Sequence, residues 1–252
     1  MTASPTLLAA SHGTSHPGGQ RAVAALVRAV AAEAGQTAVV ESFVDVQQPD
    51  VPTSLSALEP GRDAIVVPLL LSAGYHVRVD LARDARESLD RCVTIADALG
   101  PDPRLTRLLA RRLDEAGLAP EDAVVLGAAG SSDARAVGDC RVAASELAEL
   151  LGRPVSVGFI SAATPRLADA VAEARRAAGG GRVVIASYLL APGYFAGLAG
   201  EAGAEVVTAP LLVAGEAAPR ELVEIVLDRY RAVCNADVSA SLQAAPQTVT
   251  TS

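Results

Sequence analysis

Three side chains able to hold a metal ion or move a proton stand at comparable points of this chain: His12 after the run LLAAS, Asp45 after ESFV, and His76 after PLLLSAGY. Two neutral imidazoles and a carboxylate make a borderline-hard donor set, suited to Fe2+, Co2+, Ni2+ or Zn2+. Imidazoles also exchange protons near neutral pH, and a carboxylate can balance a metal's charge or orient a histidine. His16, four residues past His12 in the loop HGTSHPGG, reads first as a solvated loop residue that could join the site. That loop precedes a candidate helix, so amides at Gly13, Thr14 and Ser15 could hold an anionic group. It matches neither GxGxxG nor the GxxxxGK pattern of a phosphate loop, and no GxSxG elbow occurs, so nucleotide binding and serine hydrolysis are weakly supported.

The chain repeats itself, which separates residues shared for the fold from residues kept for chemistry. LLAASHGTS at 7–15 aligns with VVLGAAGSS at 124–132, SFVDVQQP at 42–49 with GFISAATP at 158–165, and VVPLLLSAGYHVRVDL at 66–81 with VIASYLLAPGYFAGLAG at 184–200. The offsets, 117, 116 and 119, are nearly constant. The shared residues, Gly13/Gly130, Pro49/Pro165, Gly74/Gly193 and Tyr75/Tyr194, are mostly of backbone-shaping types. His12, Asp45 and His76 occur only in the first copy, opposite Ala129, Ser161 and Phe195, which bind metal poorly or not at all.

To bring three such residues together, the elements before them must end at one edge. Short β-branched or Leu-rich runs at 6–10, 38–44, 64–71, 123–126, 155–160, 183–190 and 205–208 alternate with amphipathic stretches at 19–33, 50–58, 77–89, 102–116, 133–151, 164–178 and 219–233. That alternation predicts an α/β fold: two similar domains, each a parallel sheet flanked by helices, related by a pseudo-twofold. The expected halves are 1–118, carrying the chemistry, and 119–235, a degenerate copy; 236–252, rich in Ser, Thr, Gln and Ala, reads as a mobile tail. His12, Asp45 and His76 fall at or just past strand C-terminal ends, where open α/β sheets bind ligands.

Composition narrows the function classes. Half of the 252 residues are hydrophobic, only 3% are aromatic and Trp is absent, so Ala, Val and Leu must build the core. A net charge of −8 argues against nucleic-acid and anionic-membrane partners. The opening MTASPTLLAASHG lacks a basic region and reads as a first strand, and no apolar run approaches the ~20 residues of a membrane span. The cytoplasm is the expected location. Cys92, Cys140 and Cys234, odd in number and far apart, read as buried thiols, with no disulfide framework.

The His-Gly-Thr opening, the SFVD…P segment and above all PLLLSAGYHVRVDL resemble the class II tetrapyrrole chelatases of the CbiX/SirB type, over essentially residues 7–233. The resemblance implies a long, two-half chelatase with its active site between the halves. It implies that His12 and His76 bind metal and handle pyrrole protons. Asp45 stands where the family usually has Glu, one methylene longer; Glu41, on the same strand face, is a second carboxylate candidate. The implied substrates are sirohydrochlorin and a divalent ion, Fe2+ first with Co2+ or Ni2+ as alternatives, and no further cofactor is implied.

Sirohydrochlorin is polycarboxylated, so Gly13, Thr14, Ser15, Gly74, Tyr75 and Arg78, with Arg21 and Arg83, are the expected contacts to it. Cobalt-associated relatives sometimes carry a His-rich stretch or a Cys cluster, and this sequence has neither, which tilts the expectation toward a ferrochelatase. A cobaltochelatase and a non-catalytic metal or tetrapyrrole carrier are the alternatives. The built-in second half makes a homodimer unnecessary, so a monomer is expected.

Overall fold

Long apolar strands dictate the architecture. In β1 (Thr6–Ser11), β3 (Ala64–Pro68) and β7 (Val183–Tyr188) every residue is buried, as happens when both faces of a parallel sheet are covered. The computed structural model describes residues 4–72, 74, 81–83, 85, 90–179 and 181–244. Within them β1, β2 (Val39–Phe43), β3 and β4 (Val93–Ile95) form one all-parallel sheet in the order β2-β1-β3-β4. A second parallel sheet, β6-β5-β7-β8, uses β5 (Ala123–Ala128), β6 (Val155–Phe159), β7 and β8 (Val206–Val207). The two sheets have the same topology, as the repeat predicts.

The helices are α1 (Pro17–Glu33), α2 (Val51–Ser56), α3 (Pro103–Glu115), α4 (Ala134–Leu151), α5 (Leu167–Ala177), α6 (Tyr194–Gly200) and α7 (Arg220–Ala244). The short β4 and α6 were not expected as separate elements. The helix expected at 77–89 falls largely outside the described residues, of which 81–83 are helical. At the C-terminus α7 continues to Ala244, so part of the segment expected as a mobile tail is helical. Among the cysteines only Cys140 meets the expectation of burial; Cys92 is exposed and Cys234 half-buried.

The helices after the last strand of each sheet are exchanged. By sequence α3 closes the first half, yet it packs on β7 and α4 of the second; α7, closing the second half, packs on β3 and α1 of the first. One apolar cluster therefore runs from Leu7, Leu26 and Val67 through Leu105, Leu108 and Leu109 to Leu126, Leu147, Leu222 and Ile225. Two smaller clusters, around Leu8, Val51 and Val66 and around Val125, Leu167 and Ile185, fill the outer faces.

Polar contacts across this junction obey the repeat offset. Arg104 pairs with Asp228 at 2.6 Å, and Arg111 with Glu221 at 2.6 Å. Positions 104 and 221, and 111 and 228, each stand 117 apart, so these are equivalent pairs with their charges reversed. Arg112 donates to the Leu211 carbonyl, and Arg229, also 117 further on, donates to the carbonyls of Ala98 and Leu99.

Asp102 caps α3, accepting from the Arg104 amide at 2.9 Å and from its guanidinium, with Arg229 at 3.5 Å. Burial disfavours its charge, but the hydrogen bonds and charges of Arg104 and Arg229 outweigh that and hold the carboxyl below its ordinary range. A lowered folded value contributes stability that is present above the unfolded value of about 3.9 and is lost as pH falls through the folded one. Urea melts of Asp102→Asn should show a loss of about 1–3 kcal/mol at pH 7 that shrinks below about pH 4; a deficit unchanged at pH 3 would disprove this electrostatic account.

Candidate functional site

The loop after β1 and the loop after β2 are zipped together by backbone bonds. Val44 donates to the Ser11 carbonyl at 2.8 Å and Asp45 to that of His12 at 3.1 Å, and the second half repeats this with Ile160 to Ala128 and Ser161 to Ala129, each at 2.9 Å. Gly13 and Gly130 turn the chain at φ +89° and +92°. A Cβ there would overlap the Asp45 or Ser161 carbonyl oxygen, so close backbone approach requires glycine at both positions. Val46 and Ala162 take positive φ at matching points.

The halves also interlock across the pseudo-twofold. A Cβ on Gly193 would lie 3.2 Å from the Thr14 hydroxyl, and one on Gly74 would lie 3.1 Å from the Ser131 hydroxyl. Thr14 accepts from the His16 amide at 3.1 Å just as Ser131 accepts from Asp133 at 3.0 Å. The shared glycines thus let the loop after the third strand of one sheet press on the loop after the first strand of the other.

Between these loops lies a cavity of about 650 Å3. The first half lines it with Ser11–Ser15, Val46, Gln47, Leu69–Ser72 and Gly74; the second half with Ala128–Ser132, Cys140 and the segment from Tyr188 to Ala196. His12 is the only imidazole or carboxylate among the described lining residues. The Cys140 thiol is pushed up to about 11, above all by burial, so it lines the cavity as a protonated, apolar group at neutral pH. Burial also raises the Tyr188 phenol, which donates to the Leu71 carbonyl at 3.2 Å and ties the two halves beneath the cavity.

The expected site residues fall in different places. His12, Gly13, Thr14, Ser15 and Gly74 line the cavity; His76, Tyr75 and Arg78 lie outside the described residues. Asp45 is exposed and not among the lining residues, its carboxylate accepting from the Val46 amide at 2.7 Å. Glu41 is half-buried on β2 and also away from the cavity; burial raises its pKa, partly offset by Arg28. His16 caps α1, its Nδ1 accepting from the Gly19 amide at 3.2 Å. Arg21 and Arg83 are exposed and do not line the cavity. Among the described residues no three His, Cys, Asp or Glu side chains are grouped to hold a metal.

The family model for CbiX matches residues 6–116 and 123–199, most of the chain and both copies of the repeat. The chain belongs to the CbiX family. SirB from Bacillus subtilis, solved with Fe3+, superposes with a TM-score of 0.75 at 21% identity, covering 94% of this chain and 98% of SirB. SirB of the subspecies spizizenii in complex with cobalt gives 0.72 at 17% identity with the same coverage, and both are likenesses of fold. A curated relative, the sirohydrochlorin cobaltochelatase of Sulfurisphaera tokodaii, is 33% identical over 75 residues, 29% of this chain. The chain spans 62% of that relative's length.

In this CbiX chain the first-half loop carries reinforcements that the second lacks, and these were missed in the sequence. Gln47 Oε1 accepts from the Thr14 amide and Gln20 donates to the Thr14 carbonyl, each at 2.9 Å, whereas Ala163 and Val137 stand at the equivalent places. Ser11, opposite Ala128, places a buried hydroxyl without a protein partner beside His12. The Gln47/Ala163 and Ser11/Ala128 mismatches lay within the aligned segments and carried the signal.

Gly19 in α1 lies close against the other half of this CbiX fold, since a Cβ there would overlap the Pro192 carbonyl. Gly19→Ala should lower stability by about 1–3 kcal/mol through overpacking. Gly138→Ala in α4, where a Cβ meets only open space, should be neutral or gain up to about 1 kcal/mol. Thermal melts of the pair test whether the junction is as close as described.

Proposed function

We propose that this chain is a sirohydrochlorin chelatase that inserts Fe2+ into the macrocycle to make sirohaem. The observation that carries this reading is the cavity between two halves of a CbiX fold, with His12 its only described imidazole or carboxylate and with a degenerate second half opposite. Insertion replaces two pyrrole N–H protons by one M2+ and releases two H+, so the protein must present a partly desolvated ion and accept protons. His12 and His76 perform both tasks. Asp45, exposed and bonded to the Val46 amide, balances the ion's charge once its carboxylate leaves that amide.

The macrocycle's carboxylates are held by the amides and hydroxyls of Gly13, Thr14 and Ser15, with Gly74, Tyr75 and Arg78 as further contacts. No lysine or arginine is present among the described lining residues, which leaves Arg78 as the cationic contact from the sequence. The ion is substrate, and the proposal includes no further cofactor. A monomer in the cytoplasm, without nucleic-acid or membrane partners, fits the acidic chain; among the described residues no helix is long and apolar enough to cross a membrane. The Sulfurisphaera relative's name favours a second reading, insertion of Co2+ for cobalamin synthesis.

Absorbance spectra of sirohydrochlorin with Fe2+, Co2+ or Ni2+ decide between these readings and a carrier that binds without turnover. His12→Ala and His76→Ala, each with a native circular dichroism spectrum, should lose about 10²-fold or more in rate. Ala129→His should not build a second centre, because Ser161 and Phe195 still supply no ligands. Near-normal turnover by either folded alanine variant removes that histidine from the mechanism.

A further inference from the structure

We infer that Tyr194 and Phe195, at the start of α6, form the surface on which one face of the tetrapyrrole ring lies, so that metal enters from the His12 side alone. This rests on the chelatase reading above and assigns a role to the half without metal ligands. The two walls of the cavity differ in chemistry. Both halves bring leucines, Leu69–Leu71 and Leu189–Leu190, and hydroxyls, Thr14 with Ser15 and Ser131 with Ser132, but only the first half adds His12 and Gln47 and only the second adds the aromatic pair Tyr194 and Phe195 among the described lining residues. A flat π-ring carrying polar groups at its rim fits between an edge that bears an imidazole and one that bears aromatic rings.

Core packing does not explain Tyr194, and Phe195 beside it is only half-buried. The chain has only three Phe and four Tyr, and Phe43 and Phe159 are spent in the core at 5% and 0% exposure. Tyr194 is instead 75% exposed, with its ring edge-to-face on Phe195 at 5.8 Å. Gly193, pressed against the Thr14 hydroxyl, fixes where the pair begins. The repeat sets Phe195 opposite His76, so equivalent sequence positions supply a proposed metal ligand in one half and an aromatic face in the other.

The test is an absorbance titration of the full chain with metal-free sirohydrochlorin, followed by steady-state insertion with each substrate varied. Tyr194→Ala and Phe195→Ala should weaken macrocycle binding and raise its KM about tenfold, leaving the KM for Co2+ unchanged. Tyr194→Phe, which keeps the ring, should behave as wild type, an outcome that a hydroxyl contact would not give. If wild type binds and metallates sirohydrochlorin but Tyr194→Ala matches it, or if Tyr194→Phe is as impaired as Tyr194→Ala, the aromatic face is wrong and the chelatase reading stands. If wild type neither binds nor metallates the macrocycle, both fall together. Tyr194 is exposed, so its variants keep the test decisive even if Phe195→Ala fails to fold.

Discussion

Neither sheet can cover its inner face alone. Each half has one helix of its own on that face, α1 or α4, and takes its second from the other half, α7 or α3. Removing that exchange would expose Leu105, Leu108 and Leu109 on one helix and Leu222, Ile225 and Val226 on the other, all essentially inaccessible in the folded chain. Burying a Leu or Ile side chain is favourable by about 1.5–3 kcal/mol, so the exchanged helices alone exceed what ion pairs across the junction could contribute. The gap between the sheets is therefore set by the core, and the cavity inherits its dimensions from it.

Duplication gave this core two symmetric ends to work with, and the symmetry survives wherever it is structural. The glycines at φ near +90°, the positive-φ residues beyond β2 and β6, and the hydroxyl-to-glycine contacts of Thr14 with Gly193 and Ser131 with Gly74 repeat with little change. Even the pairs Arg104–Asp228 and Arg111–Glu221 keep their geometry while exchanging the sign of each partner. Attraction depends on the product of the charges, so reversal preserves the bond. At the cavity the copies differ in chemical type, with His12 opposite Ala129 and Gln47 opposite Ala163, whereas buried strand positions such as Leu7/Val124 and Leu8/Val125 exchange one aliphatic residue for another.

That division explains what could be read from the sequence. Parallel sheets, the repeat and the placement of His12 at a strand end follow from buried apolar runs and from the offset near 117, both local or periodic signals. The helix exchange was not legible, because α3 and α7 carry the same amphipathic pattern whichever sheet they cover. Strand β4 has only three residues, too short for alternation to register, whereas β8 falls inside the run expected at 205–208. Asp45 follows a run expected to end at 44; β2 ends at Phe43, the amides of Val44 and Asp45 still bond to Ser11 and His12, and the Asp45 carboxylate turns to the Val46 amide, a side-chain choice that alternation does not encode. The expectation that Cys92 is buried failed because it precedes a short edge strand beside solvent.

A duplicated fold that kept identical ends would offer two equivalent ligand sets to a substrate with one central hole. Two ions bound on opposite faces of a ring would repel each other and compete for the same four nitrogens, so one set is surplus to insertion. On the proposed chelatase reading, Ala129 and Phe195 at the positions of His12 and His76 avoid that conflict. Ala129 leaves room where His12 has a side chain, and Phe195 fills the position equivalent to His76 with a ring that can neither coordinate nor titrate. The Gln20 and Gln47 bonds to Thr14 then hold the loop that kept its histidine, while Ala163 and Val137 leave the other loop without them. On the proposed reading, the loop held by these bonds is the one that carries the ligand, and a ligand works only when its loop is held in place.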